Sequence, residues 1–502
     1  MERSPAMGAW EMLGTPFIPV PGVTPVVRLR PFSGCPRLEF VVLGLLGLML
    51  GACRAERLRA PPPAEHSAAL RYHVTYVREP EHALDVELVR TREEAPKDFL
   101  FTQPGGVSGV HAFTGEGAAH DVPVAKEGRV LVPPGTRFLR YRYPLDARIR
   151  EKGPSLFAGM GEGDARHVAG RAWLLRPRTV TPSLRAELRV EGVEALLPWE
   201  PDAGGVYRLR GEDLVDSGFH GFGGRRCTVR PRGAVVEVSL LGRPSRVDDV
   251  TLCAWVRQAT EEVLTVRRTF PYPRVIVHLL SVPGRAEPSS FGMVLWSSPP
   301  SISLLVGQEA SPASFSRDWV AVHEFLHLTH PTFVPRVAWL SEGLATYYTE
   351  VARARSGRQT PERAWTELLA GFSRARADVG TRTMEDVVTR GDSSLGTYWT
   401  GALFALHLDV ELRRATGNQH GLDAVLERLA ESGSTATFDG FGAAVDVIAG
   451  RPLFHALLSR HLSRPAFAER EALLEALGVV PGTESVELGP ARDSPLREAL
   501  GL

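Results

Sequence analysis

The motif HEFLH at residues 323–327, followed by fourteen residues and then by Glu342 in the segment WLSEGLATYY, decides how the chain is interpreted. Two histidines four positions apart lie on one face of an α-helix, with their Cβ atoms roughly 5–6 Å apart. The imidazoles of His323 and His327 can therefore bind one Zn²⁺ ion. Glu324 lies one position further round the helix, where it cannot be a ligand but can take a proton from a water molecule beside the metal. The motif thus predicts the site of a zinc hydrolase.

A catalytic zinc site needs a third protein ligand and keeps one further position open. We predict that Glu342 is this ligand, because the sequence around it is typical of the start of a second helix. His330 is an alternative, seven residues after His323 on the same helical face, but seven residues rise about 10.5 Å along a helix and Pro331 ends the helix there. Another alternative is a structural helix with two unrelated histidines, because HExxH motifs also arise by chance.

The composition is that of an ordinary globular protein. The chain has 502 residues, of which 43% are hydrophobic, and its formal net charge is zero. This length is sufficient for roughly two to four domains with substantial cores. A balanced charge gives no general attraction to nucleic acid, so we expect no nucleic-acid partner.

Residues 1–53 resemble a bacterial lipoprotein signal peptide. The apolar run from Phe40 to Leu50 follows several arginines and has the length of a signal-peptide core. It ends in Leu50-Gly51-Ala52-Cys53, which is similar to a lipoprotein processing site. We therefore expect a lipid anchor on Cys53 and a location in the cell envelope, at the outer membrane because Arg54 follows the cysteine. An ordinary secretory signal and an uncleaved anchor are the alternatives.

The residues after Cys53 divide into a tether and three predicted domains. Residues 54–69 are rich in proline and form the tether. Between Leu70 and about Trp199 apolar and polar residues alternate with a period of two, which predicts an antiparallel β-domain with one solvated face. The predicted boundaries are 70–200 for the β-domain, 205–356 for the catalytic domain, 357–480 for a C-terminal all-α domain and 481–502 for a tail.

Within the catalytic segment, the sequence predicts a buried strand from Tyr272 to Leu280 and an extended stretch from Phe291 to Gly307. An edge strand beside a zinc site can bind an extended peptide as a further strand. Helices are predicted from about Arg317 to Thr329 and from about Leu340 to Arg355. Cys227 and Cys253 are either a disulfide in an oxidising compartment or two buried thiols.

HEFLH followed by WLSEGLATYY resembles the gluzincin metallopeptidases, and the wider pattern is most similar to the glycyl aminopeptidase family, with aminopeptidase N a more distant relative. The resemblance covers about residues 70–480 and implies a thermolysin-like α/β catalytic domain within an α+β multidomain chain. It implies that His323, His327 and Glu342 bind zinc and that Glu324 is the general base. It also implies that Tyr398, in the segment GTYWTG, donates a hydrogen bond to the oxyanion.

The sequence departs from the family pattern at several positions. The spacing between His327 and Glu342 is shorter than usual, and Thr400 replaces a lysine. The extended stretch lacks the glutamate that the family uses to bind the free amine of a substrate, and Glu287 precedes that stretch out of register. The resemblance therefore supports a peptidase more strongly than an aminopeptidase.

We predict a lipid-anchored, zinc-dependent metallopeptidase that hydrolyses peptide bonds in the bacterial cell envelope. Its metal ligands are predicted to be His323, His327 and Glu342, and its catalytic residues Glu324 and Tyr398. A non-catalytic envelope protein that uses the same fold for binding is the alternative. Thr346, one turn after Glu342, is a further hypothesis, either as a hydrogen-bond partner of a ligand histidine or as a surface hydroxyl.

Overall fold

The structure of the chain is a computed structural model that describes residues 68–103, 106–114, 119–482 and 485–502. The predicted signal peptide, Cys53 and the tether as far as residue 67 lie outside the described residues. Residues Ala68–Leu502 form one compact unit. Among the described residues, no helix is both long enough and apolar enough to cross a membrane.

The N-terminal part of this unit consists of β-strands and three short helices. Its elements are β1 (Leu70–Val77), β2 (Ala83–Arg90), β3 (Asp98–Leu100), β4 (Ser108–Phe113), β5 (Ala119–Asp121), β6 (Arg129–Leu131), β7 (Phe138–Tyr143), α1 (Leu145–Lys152), β8 (Arg166–Ala169), α2 (Gly170–Trp173), β9 (Arg176–Pro177), β10 (Arg185–Glu191), β11 (Ala195–Leu196), β12 (Val206–Arg210) and α3 (Gly211–Val215). Buried and exposed side chains alternate along β1. One face of the sheet therefore packs on a core that includes Tyr72, Phe99 and Trp173, as the period of two predicted.

The main N-terminal sheet has seven strands in the order β12-β10-β1-β2-β7-β4-β5. All of its neighbouring strands pair antiparallel except β1 and β10, which run parallel with Leu70 opposite Ala186. A parallel pair requires a long connection, and most of the N-terminal part lies between these two strands. The predicted β-domain is thus confirmed, and its main sheet is antiparallel apart from the pair β1 and β10.

The central part combines a mixed sheet with the two helices that carry the HExxH motif and Glu342. Its elements are β13 (Phe219–Phe222), β14 (Arg225–Val229), β15 (Val235–Leu241), α4 (Asp249–Val263), β16 (Arg274–Val282), β17 (Ser289–Leu295), β18 (Ser301–Gly307), α5 (Val320–Leu326), β19 (Thr332–Phe333) and α6 (Ala338–Arg355), with 3-10 turns at Pro312–Arg317 and His327–Thr329. The five-stranded sheet has the order β14-β15-β16-β18-β17, so β17 lies at its edge. The extended stretch predicted from Phe291 to Gly307 is therefore two strands, of which β17 is the edge strand and β18 lies inside the sheet.

The C-terminal part is mainly helical. Its elements are α7 (Pro361–Val379), α8 (Met384–Arg390), α9 (Ser394–Ala415), α10 (Leu422–Ser432), β20 (Thr435–Ala436), α11 (Phe438–Ala449), α12 (Phe454–Leu462), α13 (Arg470–Leu477), β21 (Val479–Pro481), β22 (Val486–Leu488) and α14 (Ser494–Leu500). The Tyr347 hydroxyl donates to Asp409 at 2.8 Å, and the Tyr348 hydroxyl donates to Asp423 at 2.7 Å. These two hydrogen bonds hold α6 against α9 and α10.

Residues assigned to a tail from the sequence contain the strand β22 and the helix α14. The buried Arg497 guanidinium donates to the carbonyls of Leu477, Gly478 and Gly489, at 2.9, 3.2 and 2.9 Å. Leu500 is fully buried. Short apolar segments such as this one carry little periodic signal, so their packing was not visible in the sequence.

A disulfide joins Cys227 on β14 to Cys253 on α4. It therefore links the outer strand of the mixed sheet to the helix that packs beside it. Of the two alternatives left by the sequence, the structure has the disulfide and not the pair of thiols.

Candidate active site

The side chains of His323, His327 and Glu342 converge at one buried point between α5 and α6. The Glu342 Oε2 atom lies 3.5 Å from His323 Nε2 and 3.2 Å from His327 Nε2. One ligand atom from each residue falls within 4.8 Å of the other two. The two helices therefore bring together the three side chains that the sequence predicted as metal ligands.

The chemistry of this group fits a zinc ion. Burial disfavours the charged form of Glu342, but the neighbouring imidazoles of His327 and His323 hold the pKa of its carboxyl well below its usual value. Burial lowers the pKa of His323, whereas the carboxylates of Glu342 and Glu324 outweigh burial and raise the pKa of His327. Among the described residues, none donates a well-aligned hydrogen bond to the buried Oε2 atom of Glu342. Two imidazole nitrogens and a carboxylate oxygen are a ligand set of catalytic zinc sites.

His330 lies outside this ligand group. Its Nε2 atom is 3.4 Å from Nδ1 of His327, the nitrogen on the opposite side of that ring from Glu342. The helix changes to a 3-10 turn at His327, and the backbone is extended at His330. The imidazole of His330 therefore lies behind a ligand histidine, and the alternative that it is the third ligand is wrong in this arrangement.

Glu324 is buried directly beneath the edge strand. A Cβ atom placed on Gly292 of β17 would lie 2.4 Å from Cγ and 2.8 Å from Oε1 of Glu324, so the close approach requires glycine. Burial raises the pKa of Glu324 to about 8, although His327 and the backbone amide of Val294 oppose the rise. A carboxyl group with a pKa near neutrality can both accept and release a proton at physiological pH.

Tyr398 lies in the first turns of α9 beside the ligand group. Its ring stacks on that of His323, with 5.9 Å between the ring centroids and 18° between the planes. Burial raises the pKa of its hydroxyl well above the usual value, and the carboxylates of Glu342 and Glu324 raise it further. The hydroxyl therefore keeps its proton and can act as a hydrogen-bond donor in the site.

A backbone contact between two glycines sets the distance between α6 and α9. A Cβ atom on Gly343 would lie 2.4 Å from the Cα atom of Gly401, and one on Gly401 would lie 2.0 Å from the carbonyl oxygen of Trp339. Real Cβ atoms do not approach backbone so closely, so both positions need glycine. Because Gly343 follows Glu342 and Gly401 comes three residues after Tyr398, this contact brings the ligand and the tyrosine together.

Thr349, and not the predicted Thr346, is the threonine that contacts a histidine of the group. The Thr346 hydroxyl is buried without a hydrogen-bond partner, so it is neither a partner of a ligand nor a surface group. Instead, Thr349 Oγ1 lies 3.4 Å from Nδ1 of His323. Thr349 is seven residues after Glu342, a spacing that returns to the same helical face, and this spacing was the available signal in the sequence.

Comparison with solved structures identifies the fold. An aminopeptidase N family protein from Idiomarina loihiensis matches with a TM-score of 0.65 and 17% identity, over 82% of this chain and 78% of that one. The chain has the fold of this protein. Two more distant matches are yeast LTA4 hydrolase, with a TM-score of 0.49, 13% identity and coverage of 79% and 68%, and an M1 zinc metallopeptidase from Deinococcus radiodurans, with a TM-score of 0.45, 17% identity and coverage of 79% and 92%.

The fold implied by the resemblance to gluzincin metallopeptidases is confirmed. The chain has a β-sheet N-terminal part, an α/β central part and a helical C-terminal part, and it shares its fold with the Idiomarina loihiensis structure. At 17% identity the similarity extends to the fold alone. No protein-family model and no curated protein matches the sequence.

Proposed function

We propose that this chain is a zinc-dependent peptidase. One observation carries the proposal: the group of His323, His327 and Glu342 lies beside Glu324, which packs beneath β17, the edge strand of the five-stranded sheet. A metal-binding group, a proton-transfer group and a strand that can hold an extended chain are the parts that peptide hydrolysis requires. A zinc ion bound here would supply a Lewis acid that polarises a carbonyl and acidifies water.

The roles of the surrounding residues follow from their positions. Glu324 accepts a proton from the attacking water, whose oxygen bonds to the carbonyl carbon of the substrate. Glu324 then returns this proton to the amide nitrogen as the C–N bond breaks. Tyr398 donates a hydrogen bond to the carbonyl oxygen as negative charge develops on it. The second proton of the attacking water also passes to the leaving nitrogen, so the products are a carboxylate and an ammonium group.

The edge strand β17 is the proposed substrate-binding element. It pairs with β18 on one side, and a peptide can add to its other side through main-chain hydrogen bonds. The strand carries no acidic side chain that could bind a free α-ammonium group. The exposed side chain of Arg336 lies 3.7 Å from Glu342 Oε1, so a cation of the protein already pairs with that carboxylate. We therefore propose that cleavage does not require a free amino terminus.

The test combines metal analysis with peptide digestion. Purified protein should contain about one zinc per chain and should cleave members of a peptide library, with products read by mass spectrometry. Removal of the metal by a chelator should abolish cleavage, and added Zn²⁺ should restore it. Libraries with free and acetylated amino termini distinguish trimming from internal cleavage. Stoichiometric zinc without cleavage of any library would instead identify the chain as a binding protein.

We also propose that the chain is anchored in the cell envelope through lipid on Cys53. The processing-site sequence around Cys53 supports this location, and the disulfide between Cys227 and Cys253 suits an oxidising compartment. Replacing Cys53 with serine should move the protein from the membrane fraction to the soluble fraction in a bacterial host. Cys35→Ser is the matched control and should leave the partition unchanged. Retention of the Cys53→Ser variant in the membrane would exclude lipidation as the anchor.

A further inference from the structure

We propose that His330 and Thr349 are positioning residues that fix the tautomers of the two ligand histidines, so that each presents an unprotonated Nε2 to the metal. This inference rests on the proposed zinc site. A neutral imidazole carries its proton on one nitrogen only, and a ligand nitrogen must be the other one. The contacts behind each ligand ring therefore decide whether that ring is ready to bind a metal.

The two nitrogens of His327 face different surroundings. Nε2 faces the ligand group, 3.2 Å from Glu342 Oε2. Nδ1 faces away from it, 3.4 Å from His330 Nε2 and 3.5 Å from Ser341 Oγ. If the group behind Nδ1 accepts a hydrogen bond, Nδ1 holds the proton and Nε2 is free.

The hydrogen bond on the other side of the His330 ring makes His330 Nε2 an acceptor for His327 Nδ1. Its Nδ1 atom lies 2.9 Å from the carbonyl oxygen of Pro331, and a carbonyl oxygen only accepts hydrogen bonds. The proton of the neutral ring is therefore on Nδ1, and Nε2 presents a lone pair to His327. Ser341 Oγ also lies 3.3 Å from His330 Nε2, but the serine does not by itself fix a tautomer, because a hydroxyl both donates and accepts. The ring of His330 also stacks on Phe333 at 5.7 Å and 17°, which restrains its plane.

The same logic holds behind His323. The Thr349 hydroxyl donates its proton to the Ala345 carbonyl at 2.7 Å, so its remaining lone pairs face Nδ1 of His323 at 3.4 Å. Nδ1 must then carry the proton, and Nε2, which faces Glu342, is unprotonated. In both cases the side chain behind the ligand ring donates its hydrogen bond to a backbone carbonyl, so it can only accept one from the ligand ring. Two unrelated side chains thus impose the same tautomer.

The test uses isosteric variants and measures metal binding directly. His330→Phe keeps an aromatic ring against Phe333 but removes the acceptor, and Thr349→Val removes the hydroxyl at nearly constant volume. Each should weaken zinc binding by about 10–100-fold in competition with a chromophoric chelator. Each should also change the visible spectrum of the Co²⁺-substituted protein, which reports ligand geometry.

Three further variants separate positioning from general damage. Thr346→Val removes a buried hydroxyl of the same helix that has no hydrogen-bond partner, so its zinc affinity should equal that of the unmodified chain. Thr349→Ser and His330→Gln keep an acceptor and should restore most of the affinity. Thermal melting of the metal-free proteins confirms folding.

The outcomes distinguish this inference from the proposed function. Folded His330→Phe and Thr349→Val variants that bind zinc as tightly as the unmodified chain would overturn the positioning role and leave the zinc site intact. Absence of zinc binding by the unmodified chain would overturn the zinc site itself, and the inference with it. If His330→Phe does not fold, His330→Gln and the Thr349 pair still decide the question.

Discussion

Replacing Glu324 with glutamine should lower kcat/KM for a cleaved peptide by about 10²–10⁴-fold while zinc stays bound. Glutamine has nearly the same shape, so it can occupy the space beneath Gly292 without disturbing β17. Its amide cannot accept the proton of the attacking water. The ligand group of His323, His327 and Glu342 does not include Glu324, so metal content should not change. Steady-state kinetics and metal analysis of the same preparation measure both quantities.

Glu287→Gln is the control for this substitution. Glu287 precedes β17, and its carboxylate lies 3.9 Å from the guanidinium of Arg285, outside the ligand group. Because Glu287 is outside the ligand group, its replacement should leave kcat/KM within about twofold of the value for the unmodified chain. A Glu324→Gln variant with unreduced activity would contradict the assignment of Glu324 as the general base and would favour a binding function for the site.

Replacing Tyr398 with phenylalanine should lower kcat on the order of 10²–10³-fold and leave KM nearly unchanged. The phenyl ring keeps the stack on His323 but loses the hydroxyl that donates to the developing oxyanion. An interaction made mainly in the transition state affects kcat more than ground-state binding. Initial-rate kinetics over a range of peptide concentrations separates the two constants.

Thr400→Val is a matched control on the same helix. Thr400 is fully buried, and its hydroxyl has no hydrogen-bond partner, so a valine of equal volume should leave kcat unchanged. Equal kcat values for the Tyr398→Phe variant and the unmodified chain would assign Tyr398 to packing. A parallel loss of melting temperature and of kcat in both variants would indicate damage to α9 and not loss of a donor.

The group of His323, His327 and Glu342 could be predicted from the sequence because it depends on local spacing. Helical periodicity alone places His323 and His327 on one face, and Glu342 follows from the start of the next helix. The predicted bounds of the metal helix were too wide: α5 covers Val320–Leu326, with 3-10 turns before and after it. Pro331 prevents a longer α-helix, so the last turn tightens at the second ligand.

Contacts between distant parts of the chain could not be predicted in this way. Tyr398 was found through a resemblance, since nothing in its own neighbourhood indicates a contact with His323. The need for glycine at residue 292 depends on how an edge strand crosses a helix, which no local pattern encodes. The roles proposed for His330 and Thr349 depend on which backbone carbonyls accept hydrogen bonds from these side chains. Those contacts can be identified only in the three-dimensional structure.

The glycine contact between α6 and α9 limits how the site can be altered by substitution. Because Gly343 meets Gly401 backbone to backbone, no side chain separates the two helices there, and none can be trimmed to bring them closer. The spacing between Glu342 and Tyr398 is therefore not adjustable by repacking. Moving the tyrosine relative to the proposed metal site would require a change of its position along α9. Among the described residues β17 pairs with β18 alone, so substitutions on this strand are the simpler way to change which substrates bind.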